Sequence, residues 1–170
     1  MAVPIAAAML GDSARASETR VAIVEGRWHV NGHPTNRGSR AEGLLMNTRM
    51  VNATFEDRSG QHPEFDPEAN TDAFIAQLAD YAAHGVNAVT LCLQGGMPGY
   101  EGAVNSAFDA DGSLRPEPMR RVERAVRACD QHGMVVILGC YYQRQSAILQ
   151  DEAALRTGLL AVVEWIREHR

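Results

Sequence analysis

The feature that most constrains the fold of this chain is an internal repeat. The segment from His84 to Cys92 aligns with the segment from His132 to Cys140 at an offset of 48 residues. Each copy reads as a helix end, a glycine that stops the helix, and a buried apolar strand that ends in cysteine. Helices that alternate with buried strands indicate βα units and a parallel sheet.

The other elements fit around this repeat. An antiparallel hairpin is predicted near the start, with Val21–Val24 and Arg27–Val30 joined by a turn at Glu25-Gly26. Buried strands are predicted over 43–47, 86–93 and 134–142. Helices are predicted to begin near Asn70 or Thr71, at Pro116, and at Asp151. The chain thus holds about three βα units preceded by a short β-hairpin.

Three such units predict an α/β fold and, more specifically, a partial TIM (β/α)8 barrel. A complete barrel takes about 250 residues, and this chain has 170. We therefore expect a loose N-terminal arm over 1–20 and a partial barrel domain over 21–170. The alternative, a small doubly wound sheet, is less favoured because such sheets usually have about five strands or more.

Charge and composition exclude several classes of protein. All 16 basic side chains are arginine, against 21 acidic ones, and the net charge of −5 disfavours a nucleic-acid partner. The absence of lysine excludes Schiff-base, pyridoxal-phosphate and Walker-type chemistry. No apolar stretch approaches the roughly 18 residues of a membrane span, so no membrane partner is expected.

The cysteines and histidines do not predict a metal or a cofactor. Three scattered cysteines form no CxxC pair and read as buried thiols in a reducing compartment, which favours a cytoplasmic location. Secretion is the less favoured alternative, because no basic residue precedes the apolar start although Ala14-Arg15-Ala16 resembles a cleavage site. His29 and His33 lie on a hairpin and are not a helical metal pair.

Strand alternation selects the candidate substrate-binding residues. In the second strand Val89, Leu91 and Leu93 should face the helices, and Gln94 should share the other face with Thr90. The candidates expected at the carboxyl ends of the three strands are Asn47, Arg49, Gln94 and Tyr142. Amide, guanidinium and aromatic groups suit a polyhydroxylated ligand. The acidic residues between Glu56 and Glu68 read as a solvated loop, with substrate contact as the alternative.

Several segments together resemble a known family. Trp28–Pro34 resembles the W-x-x-N-G-x-P hairpin of many glycoside hydrolase barrels, and similar segments occur at 43–51, 94–98 and 108–114. The chain is similar to the N-terminal part of cellulase-like (β/α)8 glycosidases. This resemblance implies a carbohydrate substrate and hydrolysis of O-glycosidic bonds.

In that family the two catalytic glutamates end the fourth and seventh strands, so they are expected beyond residue 170. The strand ends of this chain offer no carboxylate, and the isolated chain is expected to be inactive. A non-catalytic carbohydrate-binding or assembly subunit, completed by another chain, is the alternative function. An exposed sheet edge would also permit self-association.

Overall fold

The computed structural model describes residues 19–95, 102–142 and 145–169, which form three α-helices and two separate three-stranded sheets. The elements in chain order are β1 (Val21–Val24), β2 (Arg27–Val30), β3 (His33–Pro34), β4 (Asn47–Arg49), α1 (Pro67–Ala83), β5 (Ala88–Cys92), α2 (Pro116–Gln131), β6 (Val135–Gly139) and α3 (Glu152–Glu168). A short 3-10 helix covers Gln145–Ile148. Residues 1–18 of the predicted arm over 1–20, and residues 96–98 of the segment 94–98, lie outside the described residues.

The first sheet is antiparallel and contains the predicted hairpin. Strands β1 and β2 pair from Val21 with Val30 to Val24 with Arg27. Both turn residues have positive φ, 50° at Glu25 and 75° at Gly26, which matches the right-handed twist of the flanking strands. Asn31 and Gly32 also have positive φ and form a second tight turn, which leads into β3. The sequence did not predict this third strand.

The second sheet is parallel, with the order β4-β5-β6, and it corrects the predicted fold class. The prediction of a partial TIM barrel is wrong, because this sheet is open and no closed sheet forms among the described residues. With three strands, β4 and β6 are its two edges, and the N-terminal strands form a sheet of their own rather than extending it. The protein is therefore a small α/β structure in the described part of the chain.

The pairing of β5 with β6 differs by one residue from the repeat. Ala88 pairs with Val135 and Cys92 with Gly139, an offset of 47 rather than 48. A shift of one residue moves a side chain to the other face of a sheet, so Cys92 and Cys140 do not occupy equivalent positions. Beyond the strands, Leu93 and Tyr141 both pack in one apolar cluster under the helices.

Helix α1 begins earlier than predicted. Asp66 is its N-cap and accepts hydrogen bonds from the backbone N–H groups of Glu68 and Ala69 at 2.9 and 3.1 Å. Pro67 occupies the first helical turn, where its missing N–H costs nothing. The predicted caps, Asn70 and Thr71, instead lie inside the helix and bond to the backbone of the preceding loop.

The helices cover one face of the parallel sheet through two apolar clusters. The first cluster joins α1, α2 and β5 and includes Phe74, Leu78, Val89, Leu91 and Cys129. The second joins the end of β5 to α2 and α3 and includes Leu93, Phe108, Val122 and Val162. Val89, Leu91 and Leu93 thus face the helices as predicted, which leaves Asn47, Arg49 and Thr90 on the opposite face.

Candidate functional site

Of the four predicted site residues, Asn47 and Arg49 lie at opposite ends of β4. Asn47 begins the strand, and its Oδ1 accepts a hydrogen bond from Thr90 Oγ1 at 3.2 Å. The expectation that it lies at the carboxyl end is wrong, because the strand starts at residue 47 rather than 43. Arg49 does end the strand, is exposed, and lines a cavity.

Gln94 and Tyr142 are brought together beyond the ends of β5 and β6. The Gln94 side chain is fully buried. Its Nε2 donates to Ser106 Oγ at 3.0 Å and to the Gln145 carbonyl at 3.2 Å, and its Oε1 accepts from the Tyr142 backbone N–H at 3.3 Å. These bonds give Gln94 a positioning role among three segments of chain. Ligand contact by any of the four residues stays a prediction.

The cavity beside Arg49, which we call the strand-end cavity, has a volume of about 360 Å³. It lies between α1 and the chain that follows β4. Its polar lining residues are Arg49, Asn52, Asn70, Gln77 and Tyr81. The buried Asn52 Oδ1 finds no hydrogen-bond donor among the described residues. Residues with amide, phenol and guanidinium groups therefore line this cavity.

A larger cavity lies in the loop before α1, and we call it the loop cleft. It has a volume of about 600 Å³. Its lining residues are Phe55, Asp57, His62, Glu64, Phe65, Asp66, Ala69 and Asn70. Asn70 also lines the strand-end cavity, so the two cavities meet at this residue. The Asn70 amide donates to the carbonyls of Asn52 and Ala53, which fixes its orientation between them.

Two aromatic rings form part of the loop cleft. The rings of Phe55 and Phe65 stand edge to face, with centroids 5.3 Å apart and an interplanar angle of 80°. Phe55 is buried and Phe65 is half-buried, so Phe65 offers the more accessible ring. Edge-to-face contact is a preferred geometry for aromatic pairs, and it holds Phe65 in place.

Asp57 fixes the loop that forms the cleft. Its carboxylate accepts hydrogen bonds from the Ser59 backbone N–H at 2.8 Å, from Ser59 Oγ at 2.9 Å and from the Val104 backbone N–H at 3.1 Å. Burial alone would raise the pKa of Asp57, but these hydrogen bonds and the nearby His62 outweigh it and lower the pKa below its usual value. Asp57 therefore stays ionised in the folded protein.

Glu56, the residue before Asp57, is not part of the cleft lining and belongs to an ion-pair network. It pairs with Arg115 and with Arg121, the latter at 2.8 Å, and Arg121 also reaches Glu68 at 3.3 Å. The expectation of a solvated acidic loop is wrong for Glu56, which is buried. Burial would raise the pKa of Glu68 too, yet hydrogen bonds from Arg121 and Arg120 lower it. This network ties the loop to α2.

Sequence reasoning did not single out His62 or the pair Phe55 and Phe65. The available signal was two phenylalanines inside a polar, proline-bearing stretch, where apolar side chains have no obvious core to enter. The cleft also depends on contacts distant in sequence, such as Asp57 with Val104, which no local pattern reveals.

Comparison of the chain with protein-family models, with curated proteins and with solved structures found no significant match. Within the described residues, no group of three or more metal-ligating side chains is assembled. The helices in this part of the chain are also too short or too polar to cross a membrane. The function is therefore argued from the cleft itself.

Proposed function

We propose that this protein binds a carbohydrate in the loop cleft. The observation that carries the proposal is the accessible Phe65 ring, fixed by Phe55, in the same cavity as the Asp57 carboxylate and the Asn70 amide. The cavity volume of about 600 Å³ lies within the range of about 300–1,000 Å³ usual for small-molecule sites.

The chemistry of these groups suits a sugar. One face of a pyranose ring carries C–H groups that pack on an aromatic ring, while carboxylates and amides hydrogen-bond the hydroxyls at its rim. The adjoining strand-end cavity would extend the site past Asn70 toward Arg49, so a ligand longer than one ring could occupy both cavities. The resemblance to cellulase-like glycosidases supports the same ligand class.

Binding is better supported than catalysis. Hydrolysis needs one carboxyl group that donates a proton and a second carboxylate near the same anomeric carbon. In the loop cleft Asp57 stays ionised, Asp66 caps α1, and the Glu64 side chain is 76% exposed. We therefore propose hydrolysis of O-glycosidic bonds only for an assembly in which further polypeptide supplies that carboxyl pair, and we expect this chain alone to be inactive.

Titration calorimetry against neutral, cationic and anionic oligosaccharides tests the proposal. We expect binding of at least one oligosaccharide, with an affinity reduced at least about tenfold by Phe65→Ala, since burying a phenylalanine side chain contributes about 1.5–3 kcal/mol. Leu160→Ala removes an exposed apolar side chain from α3, outside the cleft lining, and serves as the control. The absence of binding by every oligosaccharide, or an unchanged affinity in Phe65→Ala, would contradict the proposal.

Assembly with another chain is the second candidate function, and one observation favours it. Strand β6 is hydrogen-bonded on one side, by β5, and its Ile137 side chain is exposed. Helix α3, which follows β6, also exposes Leu159, Leu160, Val163 and Ile166. Unpaired strand edges beside exposed apolar residues favour association.

A further inference from the structure

We infer that the carbohydrate bound in the loop cleft carries a positive charge, as in an oligosaccharide of amino sugars. The inference rests on the proposed function and narrows its ligand class. It follows from the way in which carboxylates, arginines and aromatic rings are distributed around the cleft.

Three carboxylates line the cleft, those of Asp57, Glu64 and Asp66. Of the described residues, no arginine forms an ion pair with any of the three. The neighbouring acidic residues differ, because Glu56, Glu68 and Asp72 are each paired with an arginine of α2 or its N-cap. The arginines thus pair with the acids beneath the loop, and among the described residues none pairs with an acid of the cleft.

Few positively charged groups lie near the carboxylates of the cleft to offset their negative charge. Among the described residues, His62 is the one basic side chain in the lining, and its Nδ1 lies 3.6 Å from the Glu64 carboxylate, with the imidazole 53% exposed. The N-terminus of α1 adds a partial positive charge, but Asp66 accepts hydrogen bonds from two of its free N–H groups. A concave site lined by carboxylates therefore attracts cations.

The aromatic ring adds a second reason for a cationic ligand. An ammonium group within about 6 Å of a ring centroid is attracted to the negative face of the ring. Phe65 is the accessible ring, and it lies in the same lining as Asp57 and Glu64. An amino sugar combines a ring face that stacks with an ammonium group that bonds a carboxylate, whereas a uronic acid would be repelled.

Four probes separate charge from sugar recognition in calorimetric titrations of the full chain. They are a β-1,4-linked glucosamine tetramer, its N-acetylated counterpart, a neutral glucose tetramer of the same linkage, and spermidine. We expect the glucosamine tetramer to bind at least about tenfold more tightly than both neutral tetramers, which corresponds to one charge-assisted contact of about 1.4 kcal/mol.

Two variants locate the preference. Glu64→Gln should reduce the preference for the glucosamine tetramer, while binding of the neutral tetramers is retained. Because the Glu64 side chain is exposed, its replacement should leave the protein folded. Asp111→Asn removes an exposed carboxylate of a distant turn and should leave the preference unchanged. Asp57→Asn should reduce the preference further, with circular dichroism to verify that the loop variant is folded.

The outcomes distinguish the inference from the proposed function. Equal binding of charged and neutral tetramers would overturn the inference and leave carbohydrate binding in place. Binding of spermidine as tight as that of the glucosamine tetramer would overturn the inference as well, since the cleft would then select charge alone. Binding of no tetramer would overturn the inference, and binding of any other oligosaccharide would then still support the proposed function.

Discussion

The guanidinium of Arg121 and the carboxylate of Glu56 form an ion pair that is almost completely withdrawn from water. Nη2 and Oε2 are 2.8 Å apart, and the two side chains are 4% and 10% exposed. The pair joins α2 to the loop before α1 across 65 residues of sequence. Because Arg115 and Glu68 complete the network, each charge has more than one partner.

Replacing one member of this pair should therefore destabilise the protein strongly. We expect Arg121→Leu to lower the free energy of unfolding by about 3–5 kcal/mol, because it leaves the Glu56 carboxylate buried with fewer partners. Urea unfolding followed by circular dichroism measures the change. Arg167→Leu is the matched control, since Arg167 pairs with Glu164 on an exposed helix face and should cost at most about 1 kcal/mol. Equal losses in the two variants would contradict the role assigned to burial.

Gly112 should not tolerate a side chain. It has a φ of +87°, and a Cβ there would lie 2.1 Å from the backbone carbonyl oxygen of Ala154 in α3. We expect Gly112→Ala to cost well over the roughly 1–2 kcal/mol of a left-handed conformation alone, because the turn must also move away from α3. Thermal melts of the two variants measure the difference. Gly85 has a φ of +83° and open space around it, so Gly85→Ala should show the cost of the left-handed conformation alone. Similar melting temperatures would contradict this account of the contact.

The buried thiols should make the protein less stable at alkaline pH. Burial raises the pKa of Cys129 to about 12, from an ordinary value of 9.0. The unfolded chain then loses this proton at lower pH than the folded one, so stability is fully present below about pH 9 and is lost as the pH rises toward 12. Burial also raises the pKa values of Cys92 and Cys140, which act in the same direction.

The free energy of unfolding, measured between pH 7 and 11, should decrease as the pH rises. In Cys129→Ala this decrease with pH should be smaller, whatever the stability of the variant at pH 7. Native Cys129 should also resist alkylation at pH 8 until denaturant is added, because little thiolate is present. Rapid alkylation of Cys129 in the native protein would contradict its burial.

The edge of β6, which has no strand partner among the described residues, should cause the chain to self-associate. We expect the average mass in sedimentation experiments to increase with concentration, and Ile137→Lys to shift the protein toward the monomer, since lysine on an edge strand blocks pairing. Leu44→Lys changes an exposed leucine before β4 and serves as the control for added charge. A monomer at all concentrations, or an equal effect of both variants, would exclude association through β6.

Local signals predicted the elements better than their arrangement. The run beginning at Pro116 and the turn at Glu25-Gly26 predicted α2 and the first hairpin, because proline and turn residues act on the backbone nearby. The sequence also carries a signal for the true start of α1, because Asp66-Pro67 is a capping residue followed by a first-turn proline. The prediction placed the start near Asn70 instead, because it followed the apolar periodicity.

The register and the loop cleft were beyond such signals. The sequence repeat aligns at an offset of 48, whereas the strands pair at an offset of 47, because the pairing is decided by which side chains pack under the helices. The cleft is held by Asp57 with Val104 and by Glu56 with Arg121, pairs that only the folded chain brings together. The predicted barrel failed for a related reason, because βα repetition does not by itself close a sheet.

The strand order β4-β5-β6 separates the two surfaces to which we assign functions. The cavity beside Arg49 adjoins β4, whereas the proposed assembly edge belongs to β6, about 10 Å away at the usual spacing of strands. A subunit docked on β6 would leave the binding cavities open, so an assembled form would display one set of them per chain. On a polymer with repeating sugars, such a form would bind multivalently and gain avidity that no single cleft provides.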